Sequence, residues 1–149
     1  MRSRGIARRG RGRGQRGQSL VEFTLVVPLF LLLIAGMVDF GIGLYSNITV
    51  INAAREGARL SVTAPGDPAA VEARVRAMAS GLNADDLSVT MTCQRPDPAP
   101  ATTWKACSGA QYQPGDAVVV SVDYIYHMIW PLAFGNRIPM TSTVRMRIE

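Results

Sequence analysis

The chain of 149 residues holds one histidine, His127, and two cysteines, Cys93 and Cys107. That poverty excludes zinc sites built from clustered Cys and His, and no metal or other cofactor is expected. It also leaves nucleophilic catalysis without a base. His127 falls at the end of a strand pattern beside Tyr126, and no serine stands in a nucleophile-elbow context. No catalytic residue is expected, so the protein reads as a non-enzyme. Acidic residues are missing before Gly17, where Arg2, Arg4, Arg8, Arg9, Arg11, Arg13 and Arg16 are interspersed with glycine. No strand pattern accompanies those glycines, so they do not make a phosphate-cradling loop. Proline is absent between Pro28 and Pro65, which removes the strongest helix breaker from that stretch.

The formal charge of +5 is unevenly spread. Beyond the arginine-rich start, nine basic residues face eleven acids, so the rest of the chain is slightly negative. A basic, glycine-rich start has three readings. It can bind nucleic acid through phosphate attraction, serve as a tail without a partner, or flank a membrane segment on its cytoplasmic side. The apolar run that adjoins it favours the third, and no nucleic-acid partner is expected.

That run, Leu20 to Leu44, contains Glu22, Thr24, Pro28 and Asp39 and is otherwise apolar or glycine. As a helix it rises about 37 Å, enough to cross a hydrocarbon core of about 30 Å. A carboxylate at the bilayer centre costs roughly 2.5–3.5 kcal/mol on insertion scales and less near an interface, so Glu22 is a functional candidate. A cleaved secretory signal is the alternative, but no small-x-small site closes the run cleanly, Ile34-Ala35-Gly36 coming nearest. Further on, Leu44, Ile48, Ile51, Arg55, Ala58 and Val62 recur at helical steps. One helix is predicted from about Leu20 to Ala64, roughly 65 Å long and loosened at Pro28. Ala53, Ala54, Gly57 and Ala58 form overlapping small-x-x-x-small pairs. They either admit another backbone closely or are simply good helix formers, and Gly57, at a cost of about 1 kcal/mol against Ala, favours packing.

Pro65-Gly66-Asp67-Pro68 predicts a turn into a second helix, with Asp67 as cap and Pro68 at its first position. Val71, Val75, Met78, Ala79 and Leu82 make its apolar stripe, Glu72 and Arg76 an i,i+4 pair, and Gly81 its end. Alternation then predicts three antiparallel strands, around Leu87–Thr92, Ala117–Tyr126 and Met140–Ile148. Asp85-Asp86 reads as a solvated turn. Trp130 to Gly135 reads as an apolar turn, serving either core closure or contact with a partner or a membrane surface. Cys93 and Cys107 both follow the membrane segment and lie outside the cell, where disulfides persist. A bridge between them closes a loop of about fifteen residues and is worth about 3 kcal/mol; two free thiols are the alternative. The fold class is α+β: a long amino-terminal helix, a second helix and a small antiparallel sheet.

Three segments together resemble a known family. They are Gly17-Gln18-Ser19-Leu20-Val21-Glu22-Phe23-Thr24-Leu25-Val26-Val27-Pro28, then Asp39-Phe40-Gly41, then Asn52-Ala53-Ala54-Arg55-Glu56-Gly57-Ala58-Arg59. They resemble the TadE-like family, minor pilins or pseudopilins of tight-adherence (Flp-type) pilus machines. The resemblance implies a type IV pilin-like plan and a cut between Gly17 and Gln18 by a membrane-embedded prepilin peptidase. Glu22 then stands fifth in the mature chain, followed by Phe23. It implies as partners the peptidase, other pilins, pilus-assembly platform proteins and membrane lipid. Residues 1–17 become a cleaved leader, 18–44 the membrane half of the helix, 45–64 its extracytoplasmic extension and 65–149 the head. Assembly and recognition are expected from Glu22, Phe23, Pro28, Ala54, Gly57 and Ala58.

The expected protein is thus a single-pass inner-membrane subunit, amino terminus cytoplasmic and head outside, acting by helix packing in pilus assembly. A signal-anchored extracytoplasmic binding domain, in which Glu22 is incidental, is the main rival. A membrane-tethered nucleic-acid binder is a more distant one.

Overall fold

The computed structural model describes residues 14–97, 103–107, 112–130 and 135–149. The leader up to Arg13, parts of the Cys93–Gly115 connection and residues 131–134 of the apolar turn lie outside the described residues. The chain divides into two compact units, one ending at Val38 and the other spanning Asp39–Glu149. Helix α1 runs Gly14–Thr63 with Pro28 inside it, as the proline-free stretch predicts.

In the first unit nearly every described side chain is exposed, including Leu20, Phe23, Leu25, Leu29, Phe30 and Leu33. Water does not tolerate so continuous an apolar surface. One polar group within it is satisfied locally: the Thr24 hydroxyl donates to the Leu20 carbonyl at 2.7 Å. The helix is long and apolar enough to cross a membrane.

The second unit is an α+β head of the expected pilin-like plan. Helix α2 spans Pro68–Met78, with Asp67 Oδ1 accepting the Ala70 amide at 2.9 Å. A short 3-10 turn, Ala84–Asp86, leads into the sheet. Its strands are β1 Leu87–Pro96, β2 Trp104–Ala106, β3 Ala117–His127 and β4 Arg137–Arg147, antiparallel in the order β2-β1-β3-β4. Strand β2 was not foreseen. Three residues inside a proline-rich connection carry too little alternation to register as a strand. Strand β4 starts earlier than expected and includes Pro139, opposite Ile125; on an edge strand the missing N–H costs no ladder bond.

Val118, Val120, Val122, Tyr124 and Tyr126 put one face of β3 into the core, as their period of two requires. Val71, Val75 and Ala79 of α2 meet them there. Met78, expected in the same stripe, is instead 42% exposed. Helix α1 contributes Ser46, Val50, Ala53, Ala54, Gly57, Ala58 and Ser61, all buried. This face is rotated from the predicted stripe. Leu44 and Ile48 are exposed and Arg55 points to solvent, because the small residues admit α2 more closely than the large ones could.

Gly57 is the tightest of these contacts. A Cβ there would lie 2.5 Å from Val75 Cγ2 and 3.5 Å from Val120 Cγ1. Overpacking of this kind costs about 1–3 kcal/mol, against about 1 kcal/mol gained in helix propensity. Gly57→Ala should therefore lower unfolding free energy by up to about 2 kcal/mol net in chemical denaturation. Combined with Val75→Ala it should cost less than the two single changes added. Strict additivity would show that the contact is not a clash.

Candidate functional site

Gly17, Gln18, Glu22, Phe23 and Pro28 all lie on α1 within the first unit. Gly17 has open space where a Cβ would stand, so nothing described in the chain requires glycine at this position. Gln18 and Glu22 are one helical turn apart, and Gln18 Nε2 donates to Glu22 Oε1 at 3.2 Å. A neutral amide orients the carboxylate without cancelling its charge. Phe23 and Pro28 are exposed beside it.

Ala54, Gly57 and Ala58 have a different setting. They are buried inside the head against α2 and β3, so the close approach that their size permits is made within this chain. Glu56 of the same segment pairs with Arg74 of α2 at 2.6 Å, which holds its carboxyl below the ordinary value and ties the two helices together. The face of α1 that the head leaves bare carries Phe40, Leu44 and Ile48, spaced four apart.

Asp39 is the polar centre of the head's first turn, and its role was not foreseen. It is 3% exposed, and three donors converge on it. Tyr126 Oη donates to Oδ1 at 2.6 Å, Ile129 N to Oδ1 at 3.1 Å and Trp130 N to Oδ2 at 3.1 Å. Burial, reinforced by this carboxylate, pushes the Tyr126 phenol up to about 12. The clasp closes the start of the head onto the end of β3 and the turn after it. A signal was present in the sequence, since an acid in an apolar run demands a partner. Its donors, two of them backbone amides some ninety residues away, were not visible there.

Cys93 and Cys107 are joined in a disulfide, as expected. Beside them Asp116 is buried, accepting Arg95 Nε at 2.7 Å, Arg95 Nη2 at 2.8 Å and the Gln113 amide at 2.9 Å. The two sulfurs and this carboxylate lie close together, but the sulfurs are bonded to each other and Arg95 occupies the acid, so the set does not suit a metal. Across the sheet's other face, the Arg145 and Arg147 guanidiniums lie 5.0 and 5.7 Å from the Trp104 ring, a stack not anticipated for β2. His127 ends β3, as read, with Asp86 Oδ1 3.0 Å from its Nε2. Asp86 is thus a structural partner and not a freely solvated turn residue. Among the described residues His127 faces the Asp86 carboxylate, and no serine completes a catalytic arrangement with it.

Two outcomes follow from these clasps. Asp39→Asn offers one acceptor oxygen where three donors converge and turns an NH2 toward one of them. Hydrogen exchange at the Ile129 and Trp130 amides should accelerate, while Val118–Val122 stay protected; uniform acceleration would make Asp39 a general core residue instead. Asp116 is held below the ordinary value of 3.8, at about 2, chiefly by the Arg95 hydrogen bonds. Its stabilisation is therefore complete above the ordinary value and is lost as pH falls through about 2. Urea midpoints measured down that range should fall more steeply in the native protein than in Asp116→Asn.

Residues 17–59 match the family model described as TadE-like protein. No curated protein and no solved structure matches the chain. The matched stretch begins at Gly17, takes in Glu22 and Asp39, and ends at Arg59, spanning all three segments that carry the resemblance. Over residues 17–59, then, the chain is similar to the TadE-like family.

Proposed function

We propose that this protein is a non-catalytic minor pilin or pseudopilin-like subunit of a tight-adherence pilus apparatus, processed by a prepilin peptidase and assembled through α1. The observation that carries the reading is the placement of Glu22. It is an acid near the amino end of an exposed apolar helix, hydrogen-bonded among the described residues to the Gln18 amide, inside the stretch similar to the TadE-like family.

The peptidase cuts between Gly17 and Gln18. Glycine there is unexplained by packing in the described chain and suits a narrow protease site, and it lowers the cost of unwinding this helical turn. The cut creates an ammonium at Gln18, and Glu22 of a neighbouring subunit neutralises it in a low-dielectric helix bundle. Until then the leader's arginines hold the subunit in the bilayer, because each must stay in water. The membrane crossing is made within residues 18–44. Its hydrocarbon-facing part ends near Val38, since Leu20–Val38 rises about 28 Å and Asp39 is engaged by the head. The amino end is cytoplasmic and the disulfide-bearing head extracytoplasmic. Neighbouring pilin helices pack on Phe23, Pro28 and the bare stripe Phe40, Leu44 and Ile48. Ala54, Gly57 and Ala58 support assembly only by shaping the head.

Mass spectrometry of the membrane-bound chain, with and without its peptidase, tests this. Processed protein should lack residues 1–17; a working, assembled protein still carrying them would overturn the reading. Glu22→Ala should insert normally and be missing from assembled complexes, and normal incorporation would sink the charge-pairing step.

A further inference from the structure

Residues Ile129 and Trp130 begin the turn between β3 and β4, and 56% and 54% of their surfaces are exposed. A turn of this composition was expected either to close the core or to meet a surface; its first two side chains do not close the core. Their position is also constrained. Both backbone amides donate to Asp39, and Asp39 is the residue immediately after Val38, where the exposed apolar run ends.

We propose that the Ile129–Trp130 corner is a lipid-contact site, seated in the headgroup region of the bilayer from which α1 emerges. The inference rests on the membrane reading of Leu20–Val38 and goes beyond it, because it assigns a surface of the head and not of the helix. Three properties fit an interface and no other occupant equally well. Trp has an apolar ring and one N–H, so it prefers the depth where hydrocarbon gives way to headgroups. The two amides that a turn would otherwise expose are already satisfied by Asp39, so burial among lipid leaves no orphan donor there. Arg137 and Ile138, both exposed at the start of β4, supply a cation for lipid phosphate and a further apolar side chain. A second copy of the chain would require a complementary surface, whereas the bilayer is already present where the helix exits. Asp39 then has two tasks: it fastens the head, and it fixes how far the head stands from the membrane.

The full chain, reconstituted in phosphatidylcholine vesicles, provides the test. Flotation checks the membrane reading alone, and a chain that stays at the bottom of the gradient overturns both. In floating protein, tryptophan emission should be quenched by phosphatidylcholine brominated near the glycerol end of its chains, and less by lipid brominated near the methyl end. Most of that quenching should disappear in Trp130→Phe, where Trp104 alone reports, and should weaken in Asp39→Asn. A floating chain whose Trp130 is untouched by either bromolipid overturns the proposal and leaves the membrane reading standing. If Trp130 is then also shielded from acrylamide, a protein surface covers it instead.

Discussion

A carboxylate in an apolar run must be compensated, and the two that bracket this one are compensated differently. Glu22 and Asp39 are separated by about 26 Å of helix, close to the thickness of a hydrocarbon core. Asp39 finds its donors inside the chain: a phenol and two backbone amides, with geometry that leaves its oxygens no need of water. Glu22 has the Gln18 amide, which satisfies hydrogen bonding in part and charge not at all. The same chemistry thus makes Asp39 a structural clasp, while the partner described for Glu22 is a single side-chain amide. Between them lies a surface that only lipid or other apolar helices can cover.

The helix that carries both acids is read differently on its two sides. Small residues face inward through the head, and their size sets the depth to which α2 and β3 approach. Large apolar residues at Phe40, Leu44 and Ile48 face away. Were the larger residues turned inward, Val75 could not sit where it does. Were the small ones outward, the bare face would offer little apolar area to a partner. Exchange of large for small is thus what lets one helix pack a core on one side and leave an apolar stripe bare on the other.

Much of the architecture was legible because it rests on local rules. Asp67-Pro68 starts α2, which ends at Met78 with Ala79 as its cap, short of the expected Gly81, and alternation located β1, β3 and β4. The cysteines paired as their shared side of the membrane segment implied. What escaped depends on partners distant in sequence. The helical-step stripe of α1 is not its inward face, because periodicity picks out large side chains while close packing here selects small ones, among them the Ala53, Ala54, Gly57 and Ala58 read as candidates for close approach. Asp86 looked solvated until the end of β3 brought His127 to it. Strand β2 exists because β1 offers it a template over Gln94–Pro96, not because Trp104–Ala106 is strongly strand-like by itself. At the amino-terminal end the sequence motif was legible, and the described structure adds to it the Gln18–Glu22 hydrogen bond.

The disulfide region completes the logic at the other end of the head. Strand β2 covers only three residues of β1's outer edge, so a short pairing must be held by something besides its own ladder. The bridge does so covalently at Cys93 and Cys107, and Asp116 does so electrostatically by gripping Arg95 of β1 and the Gln113 amide that precedes β3. The Cys107 amide adds a bond to the Cys93 carbonyl. On the opposite sheet face the Arg145–Trp104–Arg147 stack links β2 to β4 across two intervening strands. A small strand is thereby tied both to its neighbour β1 and to the far strand β4. So short and so pinned a strand leaves little free ladder on this edge of the sheet.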